Sequence, residues 1–194
     1  MKVAILKYNA GNTASVANAL QRLGVTPAIS EDAEILRSAD KVIIPGVGEA
    51  STAMAHLRER GLDAMVRSLT QPVLGVCLGM QLMCAESEEN NTKCLGIFPY
   101  RVRRFSGNGI KVPHMGWNTI SELRSSLFDG IARASYLYFV HGYYVEAGEQ
   151  TTATCTYDDC FSAAISRANF HGVQFHPEKS GAVGQTILEN FLKL

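Results

Sequence analysis

The chain opens on a short apolar run, Val3 to Lys7, that predicts a strand, and the spacing of its apolar residues then changes. Val16, Ala19, Leu20 and Leu23 fall on one helical stripe that Gly24 is suited to end. Lys41-Val42-Ile43-Ile44 predicts a second strand, stopped by Pro45-Gly46. Helix formers fill the stretch from Ala50 to Leu69, with Met54, Leu57, Leu62 and Met65 as core contacts, and Pro72 to Val76 reads as a third buried strand. The order strand, helix, strand implies a parallel sheet with helices on its faces. The second half is β-rich: strands are expected at Ile97 to Phe105, Val112 to Ile120, Tyr136 to Glu146, Thr151 to Tyr157 and Phe161 to Phe175. Turns are expected at Gly107-Asn108-Gly109, Ala147-Gly148 and Asp158-Asp159, so hairpins make the sheet mixed. A last helix follows Ser180, with Ile187, Leu188, Phe191 and Leu192 as its apolar stripe. No repeat, low-complexity tract or linker interrupts the pattern. The expected architecture is one α/β domain over residues 1–194, a mixed but largely parallel central sheet flanked by helices.

Composition narrows the function classes. A chain of 194 residues, 46% hydrophobic and 19% charged, suits one well-cored domain. Eighteen basic residues balance eighteen acidic ones, so no global field points to nucleic acid. The apolar start, Met1 to Leu6, is too short for a signal peptide and soon meets Asn9-Ala10-Gly11-Asn12, and no segment approaches the roughly 20 apolar residues of a membrane span. A cytoplasmic protein that binds neither membrane nor nucleic acid is expected. The cysteines, Cys77, Cys84, Cys94, Cys155 and Cys160, are odd in number and lack Cys-x-x-Cys spacing, so free thiols are expected, with no metal site and no cofactor.

One cysteine is placed unlike the rest. Gly75-Val76-Cys77-Leu78-Gly79 follows an apolar strand and has the form of a nucleophile elbow, in which a sharp strand-to-helix turn lifts the nucleophile above the sheet edge. Free N–H groups at the start of the following helix favour a thiolate there. The bland alternative is a small buried core residue, the usual fate of a free cysteine. A candidate base comes from His176-Pro177-Glu178, which follows Val173-Gln174-Phe175. In extended geometry residues two apart point the same way, and Pro177 stiffens the step, so Glu178 is placed to orient His176. Cys77, His176 and Glu178 then supply nucleophile, base and orienter.

With these motifs the chain resembles the triad-type (class I) glutamine amidotransferases, over almost its whole length. Within that family Pro45-Gly46-Val47-Gly48, Gly75 to Gln81, Pro113-His114-Met115-Gly116-Trp117-Asn118 and His176-Pro177-Glu178-Lys179-Ser180 are similar to the glutaminase branch of imidazole glycerol phosphate synthases. The resemblance implies a flavodoxin-like fold and glutamine hydrolysis through Cys77, His176 and Glu178. It implies ammonia delivery to a separate (β/α)8-barrel cyclase subunit in a heterodimer serving histidine biosynthesis. Oxyanion donors are expected from the Leu78 backbone N–H and from Gly46, Val47 and Gly48. By resemblance Gly79, Gln81 and Glu89 hold the glutamine, Glu89 through the α-ammonium group. Asn12, Trp117, Tyr138 and Lys179 face the cyclase.

One departure concerns His141-Gly142-Tyr143, where relatives commonly carry serine or threonine in place of Gly142, which puts glutamine affinity in question. There is also no spare barrel or phosphate-cradling loop for an acceptor, so the acceptor must bind elsewhere. The competing readings are a glutaminase for vitamin B6 or anthranilate synthesis, a stand-alone cysteine hydrolase, and a catalytically silent binding subunit.

Overall fold

The computed structural model describes residues 1–9, 11–107 and 109–194; Ala10 of the opening loop and Asn108 of the expected Gly107-Asn108-Gly109 turn lie outside the described residues. The first half alternates as the pattern predicts: β1 (Val3–Leu6), α1 (Thr13–Arg22), β2 (Ala28–Ser30), α2 (Ala33–Arg37), β3 (Lys41–Ile44), α3 (Ala50–Glu59), α4 (Leu62–Arg67), β4 (Val73–Val76) and α5 (Leu78–Leu82). The second half adds β5 (Glu86–Ser87), β6 (Thr92–Lys93), β7 (Arg101–Arg104), β8 (His114–Thr119), β9 (Tyr136–His141), β10 (Tyr143–Val145), β11 (Thr151–Thr156), β12 (Cys160–Arg167), β13 (Phe170–Val173) and α6 (Gly181–Lys193).

Several elements differ from the sequence expectation, each for a local reason. The stretch from Ala50 to Leu69 is two helices, because Gly61 takes φ +65°, which breaks the hydrogen-bonded spiral. The Phe161 to Phe175 run is two strands that reverse at Ala168, held at φ +51°. The strand from Tyr136 divides at Gly142. β2, α2, β5 and β6 carry too few apolar residues to stand out in the pattern.

The main sheet has seven strands in the order β11-β12-β13-β4-β3-β1-β2. Strands β13, β4, β3, β1 and β2 pair in parallel, whereas β12 and β11 extend the sheet antiparallel beyond β13. The expected mixed sheet is therefore present. The other hairpin strands leave it: β10, β7, β5 and β6 form a four-stranded sheet, and β8 pairs with β9 in a separate ribbon.

Alternation along the central strands divides the core in two. Ala4, Leu6, Val42, Ile44 and Val73 face α3 and α4, where Met54, Leu57, Leu62 and Met65 are buried as expected. Val3, Ile5, Ile43 and Leu74 face α1 and α6, meeting Val16, Leu20, Ile187, Leu188 and Phe191. Each buried Val, Leu, Ile, Met or Phe side chain contributes about 1.5–3 kcal/mol. This two-faced packing leaves the carboxyl edge of the parallel strands open to loops. There β1 leads to Gly11 and Asn12, β3 to Pro45-Gly46-Val47-Gly48, β4 to Cys77 and β13 to His176. Ligand sites of open α/β sheets form at that edge.

Candidate active site

Cys77 stands between β4 and α5 with φ +52° and ψ −108°, a backbone state that costs an L residue on the order of 1–3 kcal/mol and persists only where the surroundings enforce it. The surroundings are backbone atoms at van der Waals limits. A Cβ on Gly79 would lie 2.0 Å from the Ile44 carbonyl oxygen, and one on Gly46 would lie 2.3 Å from the Gly79 nitrogen. Only glycine permits that approach. The Cys77 N–H donates to the Val173 carbonyl at 2.8 Å, tying the elbow to the end of β13. The same strand end delivers the histidine.

His176 follows β13, and its N–H donates to the Tyr138 carbonyl at 2.9 Å. Beyond it the chain does not stay extended, as the sequence argument assumed: Pro177–Lys179 is a 3₁₀ turn with Pro177 at its first position. The turn still brings the Glu178 Oε1 to 2.8 Å from His176 Nδ1, and the two side chains are only 1% and 2% exposed. With Nδ1 committed to the carboxylate, Nε2 is the atom left to work. It is buried and has no hydrogen-bond partner among the described residues. Burial drives the His176 pKa down, but the neighbouring Cys77 and Glu178 side chains outweigh it and push it up to about 10.

In front of the thiol lies a cavity of about 270 Å³, lined by Val47, Gly48, Cys77, Leu78, Gln81 and Glu89 on one side and by Pro113 and Val140 to Tyr143 on the other. The motif residues thus converge, but not all in the way expected. Gly46 and Gly79 pack at the back of the elbow rather than on the cavity wall. Leu78 heads α5, where a backbone N–H has no carbonyl one turn earlier to bind. The Val47 carbonyl accepts the Gly11 N–H at 3.0 Å, so the Gly48 N–H of the same peptide points the opposite way.

Gln81 is buried, and its Nε2 donates to the Tyr143 carbonyl at 2.8 Å and to Gln174 Oε1 at 3.0 Å. What it can offer a ligand is its own carbonyl oxygen. Glu89 is half-buried: its Oε2 accepts the Ala50 N–H at 2.7 Å at the start of α3, and burial raises its pKa. It combines a helix-capping contact with a place on the cavity wall. Gly142 leaves space, since a Cβ there would meet only Val112 Cγ1, at 3.8 Å.

Three of the four residues expected at an interface are contiguous. Trp117 and Tyr138 are register partners in the β8–β9 ribbon with ring centroids 6.0 Å apart, and Lys179 Nζ lies 5.9 Å from the Tyr138 ring centroid. Asn12 caps α1: its Oδ1 accepts the Ser15 N–H at 3.2 Å.

Sequence reasoning overlooked two groups that the fold brings to the site. Gln174, fully buried, donates through Nε2 to Cys77 Sγ at 3.6 Å. Its place one residue past β13 and two before His176 is the signal that points to it. The second is a pair of buried histidines, His141 on the cavity wall and His114 behind it, with His114 Nδ1 and His141 Nε2 3.0 Å apart. Burial lowers their pKa values to about 4 and about 3, so both rings are neutral at pH 7.

Comparison with known proteins places this geometry. The family profile described as glutamine amidotransferase class-I matches residues 4–194. The chain is 58% identical over 196 aligned positions to "Imidazole glycerol phosphate synthase subunit HisH" of Bacteroides fragilis, covering all of both chains. It is 47% identical over 196 positions to the protein of the same name in Pectobacterium atrosepticum, again covering all of both. Among solved structures it is similar to a glutamine amidotransferase with a TM-score of 0.78 at 20% identity, covering 100% of this chain and 98% of that one. It is also similar to PurLQS from Thermotoga maritima with a TM-score of 0.75 at 15% identity, covering 99% of this chain and 97% of that one.

Proposed function

The chain belongs to the class-I glutamine amidotransferases, and we infer that it is the glutaminase subunit of imidazole glycerol phosphate synthase, acting in histidine biosynthesis. Residues 1–194 act as one amidotransferase domain. The observation that carries the chemistry is the state of His176: Nδ1 is held by Glu178, Nε2 is buried with no geometric hydrogen-bond partner among the described residues, and the Cys77 side chain raises its basicity.

In the proposed reaction the Cys77 thiol proton moves to His176 Nε2, and Sγ attacks the carboxamide carbon of glutamine. The C–N bond breaks as His176 returns that proton to the departing nitrogen, releasing ammonia and leaving a glutamyl thioester. Water, giving a proton to the same Nε2, then attacks the thioester carbon. The C–S bond breaks, glutamate leaves and the thiolate is restored. Charge on the carbonyl oxygen is met by the Leu78 N–H and by a backbone N–H of the Gly46-Val47-Gly48 segment. Gln81 and Glu89 hold the amino-acid end of glutamine in the cavity in front of the thiol.

Ammonia passes to a (β/α)8-barrel cyclase subunit docked on the Trp117, Tyr138 and Lys179 face, with Asn12 beside it, as a heterodimer. The cyclase makes imidazole glycerol phosphate and aminoimidazole carboxamide ribotide. Two glycines around Val47 leave the oxyanion donors free to be aligned by docking, so the chain alone is a poor glutaminase. Reassembly with the cyclase tests the reading. Glutamine hydrolysis rises when cyclase and its substrate are added. Cys77→Ala abolishes glutamine-dependent synthesis while ammonia-dependent synthesis persists. Glutamine turnover retained by Cys77→Ala sinks the assignment.

A further inference from the structure

Resting on the cysteine-nucleophile reading above, we propose that Gln174 is a further catalytic residue, whose side-chain N–H is a fixed donor to Cys77 Sγ that orients the sulfur and stabilises its thiolate. The amide lies against the reacting atom, with Nε2 3.6 Å from Sγ, and is completely buried.

Its polarity is dictated by neighbours that have no choice. The Tyr143 carbonyl can only accept, and it receives Gln81 Nε2 at 2.8 Å. The second hydrogen of that Gln81 nitrogen needs an acceptor and finds Gln174 Oε1 at 3.0 Å. Gln174 must then turn Nε2 toward the sulfur. The other side of the same carbonyl is settled likewise. His141 Nδ1 lies 2.7 Å from Tyr143 O, so Nδ1 carries the proton and Nε2 accepts from His114 Nδ1 at 3.0 Å. His114 Nε2 then takes a hydrogen from Asn118 Nδ2 at 3.3 Å. Tyr143 O is thus the common acceptor of two ordered branches, one of which ends on the nucleophile.

The donor matters because the opposite neighbour favours the wrong protonation state. Val140 O lies 3.7 Å from Sγ as the acceptor of the thiol hydrogen, and a carbonyl oxygen stabilises the thiol over the thiolate. An N–H has the reverse preference, and a hydrogen bond to an ionised acceptor is stronger than one to a neutral one. Gln174 offsets Val140. It also fixes the sulfur from the buried side and leaves the cavity side to the substrate. Greater thiolate population comes with somewhat lower intrinsic nucleophilicity, about half of the gain being returned on a logarithmic scale. Orientation of the sulfur adds to what remains.

The titratable groups around Sγ are His176 with Glu178 behind it, Tyr8 below the elbow, and His141 and Glu89 on the cavity walls. None is altered by changing Gln174, so a displaced thiol titration in such a variant reports the amide.

The test uses the full chain with Cys160→Ser, which removes the exposed thiol; Cys84, Cys94 and Cys155 are buried. Alkylation of Cys77 by iodoacetamide is followed against pH by peptide mass, and glutamine turnover is measured with the cyclase bound. Gln174→Met keeps the volume and removes the donor. The alkylation inflection moves to higher pH by about one unit, and kcat/KM for glutamine falls about tenfold. Gln174→Leu also removes the donor without adding a charge and moves the inflection the same way; it carries the test if Gln174→Met does not fold. A folded variant with an unmoved inflection overturns the proposal, even if turnover falls, because packing alone then explains the loss. Turnover surviving in Cys77→Ala is a separate result: it defeats the glutaminase reading and leaves the hydrogen bond standing.

Discussion

The two sides of the β8–β9 ribbon solve opposite problems. On the inner side His114, Leu137, Phe139 and His141 are buried against the site, and each buried ring nitrogen of the histidine pair has a partner. On the outer side Met115, Trp117 and Tyr136 are 59%, 55% and 61% exposed, with Tyr138 and Lys179 beside them. Adjacent residues of one strand therefore serve two purposes, since side chains alternate across it. The inner face packs behind the cluster of Cys77, His176 and Glu178. The outer one is an apolar, aromatic surface of the kind that anchors a partner. Tyr138 joins the two sides: its carbonyl holds His176, its N–H donates to Ser180 Oγ at 3.0 Å, and its ring lies in the outer cluster. The outer cluster is thereby joined to the backbone of the base through a single residue.

The comparison is broken most severely from the inner side. Glu178→Gln retains size but removes the charge that stabilises the imidazolium, and kcat falls roughly 10²–10⁴-fold while KM for glutamine changes little. Steady-state kinetics of the complex check this, and near-normal turnover would reduce Glu178 to a structural role. An intermediate effect comes from the outer side. Trp117→Ala removes an exposed aromatic anchor and weakens cyclase binding about 30-fold or more, as titration calorimetry would read, with the thermal midpoint of the isolated chain nearly unchanged. Equal loss of affinity and of fold would show that the two faces are not separable. The smallest change sharpens the cavity itself. Gly142→Ser enters open space, so one added hydroxyl lowers KM for glutamine roughly two- to tenfold without altering kcat. An unchanged or higher KM would show that the backbone at Gly142 already meets the ligand's needs.

Much of the site is legible in the sequence because its signals are local. The elbow needs glycines within two residues of Cys77, and the orienter lies two residues from its base. Glu89 is a mixed case. In sequence it sits in an acidic run that suggests solvent, yet a contact across 39 positions with Ala50 holds it at the cavity. The helix break at Gly61 was also hidden, since an isolated glycine in a helical pattern does not reveal its φ.

By itself the sequence determined the alternation of strands and helices, the parallel character of the sheet, the triad and the family, all carried by patterns only a few residues long. Tertiary structure alone decided which polar groups meet behind the thiol. Gln81 and Gln174 are separated by 93 positions, and Gln174 and Cys77 by 97. They come together because β13 pairs with β4 in parallel, so that both strand ends reach the same edge. A buried amide must find its partners wherever the chain places them. The order of hydrogen bonds that aims Gln174 at the sulfur is therefore a property of the assembled fold, which no local pattern encodes.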